Sequence, residues 1–255
     1  MTHQTFTSVL ITGASSGLGA ALSAELAGDG VHLVLVGRDA IRLETTANAC
    51  RTRGAMVETC VIDITDADQT AKALSEADAR HAFDLVVANA GVAFGQETPE
   101  SAQLTVDTNV SGVLNTLHDI QAGMIARGHG QIGLVSSLAA FRVLGGPPAY
   151  AASKAWIRIY GEALRGRLAR KGIGVTVICP GFVDTPMVDE RTRSALGDQL
   201  IKAEDAAREI RRGLERNAPR VTFPKGAGWR IWWLATLPVW FTDRKIMRSY
   251  RAAKK

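Results

Sequence analysis

The stretch "LITGASSGLGAAL", Leu10 to Leu22, decides the fold: an apolar run passes directly into Gly13, Gly17 and Gly19 and then into an alanine-rich helical pattern. A strand that ends on glycines and opens a helix gathers unpaired N–H groups and the positive end of the helix dipole at one point. Small residues let the backbone turn tightly there and approach a pyrophosphate, while Ser15 and Ser16 add hydroxyl donors. The spacing G-x-x-x-G-x-G departs from the usual G-x-G-x-x-G, so its weight comes from its place after the first strand. A turn that only permits close helix packing is the competing reading.

Outward from this stretch, "TSVLIT" (7–12), "VHLVLV" (31–36), "MVETCVI" (56–62), "DLVVAN" (84–89), "GQIGLVSS" (130–137) and "IGVTVICP" (173–180) read as six strands, with "RVTFP" (220–224) a candidate seventh. Helical spacing fills the gaps, as in 17–30, 38–54 and 64–80. Near-continuous Val/Ile/Leu runs indicate strands covered on both faces, and the alternation indicates parallel crossovers. The expected architecture is α/β: a Rossmann-type doubly wound parallel sheet of about seven strands with helices on both faces, binding ligands beyond the carboxyl ends of its strands.

At 255 residues, 46% of them hydrophobic, the chain can bury a sizeable core and is expected to form a single domain over 1–255. Cys50, Cys60 and Cys179 are too few and too irregularly spaced for a disulfide framework or a zinc site, which points to a reducing cytoplasm and no metal. Cys179, before Pro180, reads as a buried structural thiol. The opening "MTHQTFTSVL" lacks the pattern of a secretory signal. The net charge of +5 comes largely from 207–220 and 244–255. Such clusters are usually a solvated face; a phosphate-rich or membrane partner is the sharper reading, and no nucleic-acid motif accompanies them.

The second strand ends "VLVGRDA" (34–40). An acidic residue here would hold the ribose hydroxyls of NAD, whereas an arginine forks onto the extra phosphate of NADP. Arg38 favours NADP; Asp39 keeps NAD in play, unless it simply opens the next helix. Farther on, "PAYAASKAW" (147–155) sets Tyr150 and Lys154 one helical turn apart among alanines, so phenol and ammonium can share a pocket. An exposed tyrosine packed on a lysine stem is the plain alternative.

With "TGASSGLG", "ANAG", "SS", "YAASK" and "PGFVDT" in this order, the chain resembles the compact, single-domain short-chain dehydrogenase/reductases from about Ser8 to about Met187. The resemblance implies that Gly13, Ser15, Ser16, Gly17, Leu18 and Gly19 line the pyrophosphate and adenosine side, with Arg38 beside the ribose and Asp63 and Ile64 near adenine. Asn89, Ala90 and Gly91 resemble the turn that supports sheet and cofactor. Pro180, Gly181, Val183 and Thr185 resemble the loop that holds the nicotinamide. By the same likeness Ser137, Tyr150 and Lys154 carry catalysis and Asn109 completes the set, although a satisfied core amide also explains Asn109. Ser136 is the more backbone-oriented of the two serines.

A free phenol titrates near ~10, too high for easy proton exchange at neutral pH. A cation about 4 Å away contributes roughly 4 kcal/mol at an effective dielectric of about 20, and each pKa unit takes about 1.4 kcal/mol. Lys154 is therefore expected to pull the Tyr150 phenol down by up to about three units before desolvation opposes it.

The resemblance implies an NADP-dependent oxidoreductase acting on a carbonyl or secondary alcohol with an apolar body, working as a homodimer or homotetramer. A non-catalytic NAD(P)-sensing protein and a sugar-nucleotide epimerase or dehydratase are the alternatives. Residues 186–205 stand where the family carries a variable substrate lid. Phe94, Phe141, Val143 and Leu144 follow strand ends and suit an apolar pocket or ordinary packing equally. The end, 228–255, is the least family-like part: Trp229, Trp232, Trp233 and Trp240 precede a run of cations, too short an apolar stretch to span a bilayer. It suits a tail docked on the protein or in a subunit interface, or a peripheral contact with an anionic membrane.

Overall fold

All seven apolar runs form strands: β1 (Ser8–Thr12), β2 (His32–Gly37), β3 (Met56–Val61), β4 (Leu85–Ala88), β5 (Gly130–Val135), β6 (Ile173–Pro180) and β7 (Arg220–Phe223). The computed structural model describes residues 4–142, 146–238, 240, 241 and 243. The strands make one parallel sheet in the order β3-β2-β1-β4-β5-β6-β7. The direction of winding reverses beside β1, where Ile11 pairs with Leu35 on one side and Val87 on the other. A crevice opens at such a reversal, beyond the strand ends.

Between the strands run α1 (Gly17–Leu26), α2 (Ala40–Arg51), α3 (Ala67–His81), α4 (Pro99–Val106), α5 (Gly112–Arg127), α6 (Pro148–Ala169), α7 (Glu190–Leu196), α8 (Ala203–Glu215) and α9 (Ala227–Thr236). Side chains alternate across a strand, so neighbours in β1 enter different cores. Val9 and Ile11 pack with Leu22, Leu43 and Ile210 from α1, α2 and α8, whereas Leu10 packs with Leu74, Leu117 and Ile157 from α3, α5 and α6. Both faces are thus covered, as the apolar runs require. The edge strand β3 departs from this expectation: Met56 and Val61 are 59% and 49% exposed, because an outermost strand has a neighbour on one side only.

The segment expected to be a lid over 186–205 is subdivided. Residues 186–189 and Thr192 line the crevice, while Ala203 already belongs to α8, whose Ala206, Ala207, Ile210 and Leu214 are buried in the core. The cysteines carry no disulfide; Cys50 and Cys179 are buried, and burial pushes both thiols up to about 11. No described helix is long and apolar enough to cross a membrane.

Candidate active site

The glycine turn is held by backbone geometry that other residues resist. Gly13 and Gly17 have φ of +67° and +54°, in the left-handed region that strains an L side chain. Gly19 answers a different need: a Cβ there would stand 2.2 Å from the Gly13 carbonyl oxygen and 2.6 Å from Asn89 Nδ2. The turn is tied to β4 by Asn89 Nδ2, which donates to the carbonyls of Thr12 (2.9 Å) and Gly13 (3.3 Å), while Thr12 Oγ1 accepts from the N–H groups of Asn89 and Ala90 (both 3.1 Å). Ser16 caps α1 in position only: its side chain makes no cap hydrogen bond to the first N–H groups of this helix, and the first turn has no acid. That uncapped end lines the crevice and fits an anionic group.

The crevice is a cleft of about 1040 Å³. It is lined by every residue expected at the cofactor site, and by Ser137, Tyr150 and Lys154; of the expected site residues only Asn109 is missing from its wall.

At the adenosine end Asp39 does what a helix-opening residue does. Its carboxylate accepts from the Arg42 N–H (3.0 Å) and from Arg42 Nε (2.6 Å), capping α2. Arg38 Nη1 donates to Asp63 Oδ2 at 3.3 Å, and the other Asp63 oxygen accepts from Thr65 N (3.0 Å) and Thr65 Oγ1 (2.9 Å). Arg42, which the sequence reading passed over, also lines the cleft. Its signal was present: it follows Arg38 by four residues at the start of a helix.

At the other end, α6 carries Tyr150 and Lys154 on one face. No side chain of its own caps this helix; Glu97 instead accepts from Ala149 N at 2.7 Å. Lys154 is buried and donates from Nζ to the Val135 carbonyl at 2.9 Å, with Nζ 5.8 Å from the centroid of the Tyr150 ring. Burial lowers its ammonium to about 8. The Tyr150 phenol is pushed above its ordinary value by burial, against an opposing hydrogen bond from Ser137. The expected lowering by Lys154 is therefore corrected: the ammonium is directed at the Val135 carbonyl, and burial sets the direction of the phenol's shift.

Ser137 Oγ accepts from Ala139 N at 3.1 Å, and Ser136 Oγ donates to the Lys154 carbonyl at 2.6 Å, the backbone-directed role expected of it. Asn109 lies in a five-residue π-helical segment, Asp107–Ser111, between α4 and α5. Fully buried, it accepts from Val92 N (2.8 Å) and donates to the Val92 carbonyl and Ser153 Oγ (both 3.0 Å). Ser153 donates in turn to the Tyr150 carbonyl at 2.8 Å. The Asn109 side chain is thus a satisfied core amide that braces α6 from behind. Gly91 keeps the space between, since a Cβ there would be 3.0 Å from Asn109 Oδ1 and 3.3 Å from Lys154 Nζ.

Across the cleft the loop after β6 meets the glycine turn, a Gly17 Cβ standing 3.0 Å from Thr185 Cβ. Phe94 lines the cleft; Phe141 does not, lying instead under the guanidinium groups of Arg158 (4.8 Å) and Arg220 (5.2 Å). Val143 and Leu144 fall outside the described residues. Arg142, Phe182, Met187 and Ile231 also line the cleft. Ile231 comes from α9, far along the chain, and carries no local signal of this placement.

A sheet that reverses its winding at a glycine turn, with a tyrosine and a buried lysine at the same crevice, has the doubly wound α/β arrangement that binds dinucleotides. A family model described as short chain dehydrogenase matches residues 7–195, and the chain belongs to that family. It is 37% identical over 229 residues to an uncharacterized oxidoreductase of Myxococcus xanthus, covering 88% of this chain and 90% of that one. Among solved structures, levodione reductase superposes with a TM-score of 0.81 at 26% identity, over 88% of this chain and 98% of the other. A short chain dehydrogenase from Mycobacterium paratuberculosis bound to NAD superposes with a TM-score of 0.78 at 25% identity, over 88% and 98%.

Proposed function

We propose that this protein is an NADP-dependent oxidoreductase that moves a hydride between nicotinamide and a carbonyl or secondary alcohol, with Tyr150 as general acid and base. The observation that carries the reading is that Ser137, Tyr150 and Lys154 share one cleft with the uncapped glycine turn. Gly13 to Gly19 would hold the pyrophosphate, Arg38 and Arg42 the ribose phosphate, and Pro180 to Thr185 the nicotinamide. When bound, the dinucleotide supplies or takes up the hydride.

The chain's own groups handle the proton. A phenol raised by burial keeps its proton at neutral pH, the form required to protonate a carbonyl oxygen. Ser137 and Tyr150 present hydroxyls to the oxygen on which negative charge grows, and donors fixed in advance lower the barrier without reorganising. Lys154 keeps a positive charge beneath the ring, so that a phenol giving up its proton is not left as an isolated buried anion. An apolar substrate body suits Phe94, Phe182, Met187 and Ile231 on the cleft wall.

The test follows NADPH absorbance against a panel of ketones, aldehydes and 3-oxoacyl thioesters, and repeats it with NADH. NADPH is expected to be preferred at least about tenfold through the guanidinium groups; equal turnover at matched concentrations overturns the cofactor reading. Tyr150→Phe is expected to lose at least about a hundredfold in turnover while still binding dinucleotide. Near-normal turnover of that variant removes Tyr150 from the role.

A further inference from the structure

At the amino ends of the strands, away from the cleft, three metal-ligating side chains come together. His32 opens β2, Glu58 lies in β3 and His81 ends α3. Val34 is buried against α3 and pairs in register with Glu58, so His32 and Glu58 stand on the sheet face that α3 covers. The His32 and His81 rings stack with centroids 3.8 Å apart, and His81 Nε2 is bonded to Glu58 Oε2 at 2.9 Å. One nitrogen of each ring and a Glu58 oxygen lie within 4.8 Å of one another. Among the described residues this is the one group of three or more His, Cys, Asp or Glu side chains placed to share an ion. The expectation of no metal rested on the cysteines, and this group contains none.

A separate observation points the same way. His32 Nδ1 is buried without a hydrogen-bond partner, and a buried polar atom left unpaired costs stability unless an ion or a water meets it. The surroundings hold the other ligands in place: Arg80 Nη2 donates to Glu58 Oε1 at 2.6 Å and leaves Oε2 to the rings, while Ser8 Oγ donates to the His81 carbonyl at 2.9 Å. The Glu58 and His81 side chains are 36% and 21% exposed, so an ion has a way in. Two imidazoles and a carboxylate suit zinc, with bonds of about 2.1 Å and a water as fourth partner. Rotation of the rings about their side-chain bonds brings the three atoms to the tetrahedral separation of about 3.4 Å that such bonds require. We propose that His32, Glu58 and His81 bind a zinc-class divalent ion that clamps β2, the edge strand β3 and the end of α3 together. The ion takes the place of the proton between His81 Nε2 and Glu58 Oε2, which leaves to solvent. None of the three residues lines the cleft, and the length of β2 sets His32 about 16 Å from Gly37 on the cleft wall. The clamp therefore acts on stability and leaves dinucleotide binding alone.

The experiment titrates the untagged full chain, stripped with a chelator, with Zn²⁺ in a calorimeter, beside Glu58→Gln and His81→Gln. The parent is expected to bind one ion per chain at micromolar zinc and to melt at least about 3 °C higher when saturated. Each variant is expected to bind at least about tenfold more weakly, with the parent's affinity for NADPH unchanged. Because a variant can fail to fold, the parent alone gives a second readout: the imidazole proton resonances of two of the five histidines should move on adding zinc, and the other three should stay. Co²⁺ in place of zinc separates this ligand set from the cysteines, since thiolate ligation adds an intense sulfur-to-cobalt absorption in the near ultraviolet. No ion bound by the parent, equal binding by parent and both variants, fewer than two responding histidines, or a sulfur band with cobalt each overturns the site. If the ion binds as expected but the melting temperature stays put, the clamp is overturned and the site stands.

Discussion

Lys154 is where folding and chemistry pull in opposite directions. The unfolded chain holds its proton to about 10.4, whereas the folded protein gives it up near about 8. Between these values the unfolded state binds more protons, so this group makes the fold more stable as pH rises through the window and costs stability below it. The difference in unfolding free energy between the parent and Lys154→Met should shift in the parent's favour by about 3 kcal/mol from pH 7 to pH 10.5, read by denaturant titration at both. A gap independent of pH would mean that the folded lysine titrates normally. Arg38 offers a cleaner functional test, since its guanidinium is largely exposed and its pairing with Asp63 contributes little to stability. Arg38→Ala should raise the KM for NADPH at least about tenfold and leave that for NADH nearly unchanged; parallel loss with both cofactors would separate Arg38 from the phosphate.

Glycines at element junctions make two kinds of demand, and the difference can be measured. Gly19→Ala presses α1 away from β1 and β4 beside the cleft, while Gly213→Ala drives a Cβ to 2.1 Å from Val221 Cγ2 at the junction of α8 and β7, neither residue lining the cleft. Both should lower stability by about 1–3 kcal/mol, but only Gly19→Ala should weaken dinucleotide binding in a titration followed by fluorescence. Much at this scale was legible in the sequence, because a buried parallel strand writes itself as an apolar run and a cap as Asp or Thr. All seven strands fall where those runs lie, and Asp39 proves to be the cap that its position allowed. Asn109 shows the limit. A helical Asn announces a buried hydrogen-bonding task, but whether the amide faces a cleft or braces a neighbouring helix depends on Val92 and Ser153, which are remote in the chain.

For the molecule as a whole, composition and charge were the least informative signals. The cations of α8 suited a solvated face or, more sharply, an anionic partner, and charge alone did not choose between them; in the structure Arg208, Arg211 and Arg212 pair with Asp205, with Glu25 and Glu215, and with Glu209, as on a solvated face. The Trp-rich end could not be placed from sequence, because a stripe of indoles looks the same whether it faces inward or outward; only the packing of Gly228 and Ile231 against the body settles which way α9 turns. The thiols offer one more consequence. Cys50 sits on the flank built from α2 and β3, and Cys179 lies within β6 on the far half of the sheet, each sealed from water and poorly ionised. Alkylation by a maleimide must wait for the region around each sulfur to open, so the two reaction rates act as separate clocks. Equal rates, read by peptide mass spectrometry, would mean that both halves of the protein come apart in a single event, and a faster Cys50 would mean that the outer flank peels first.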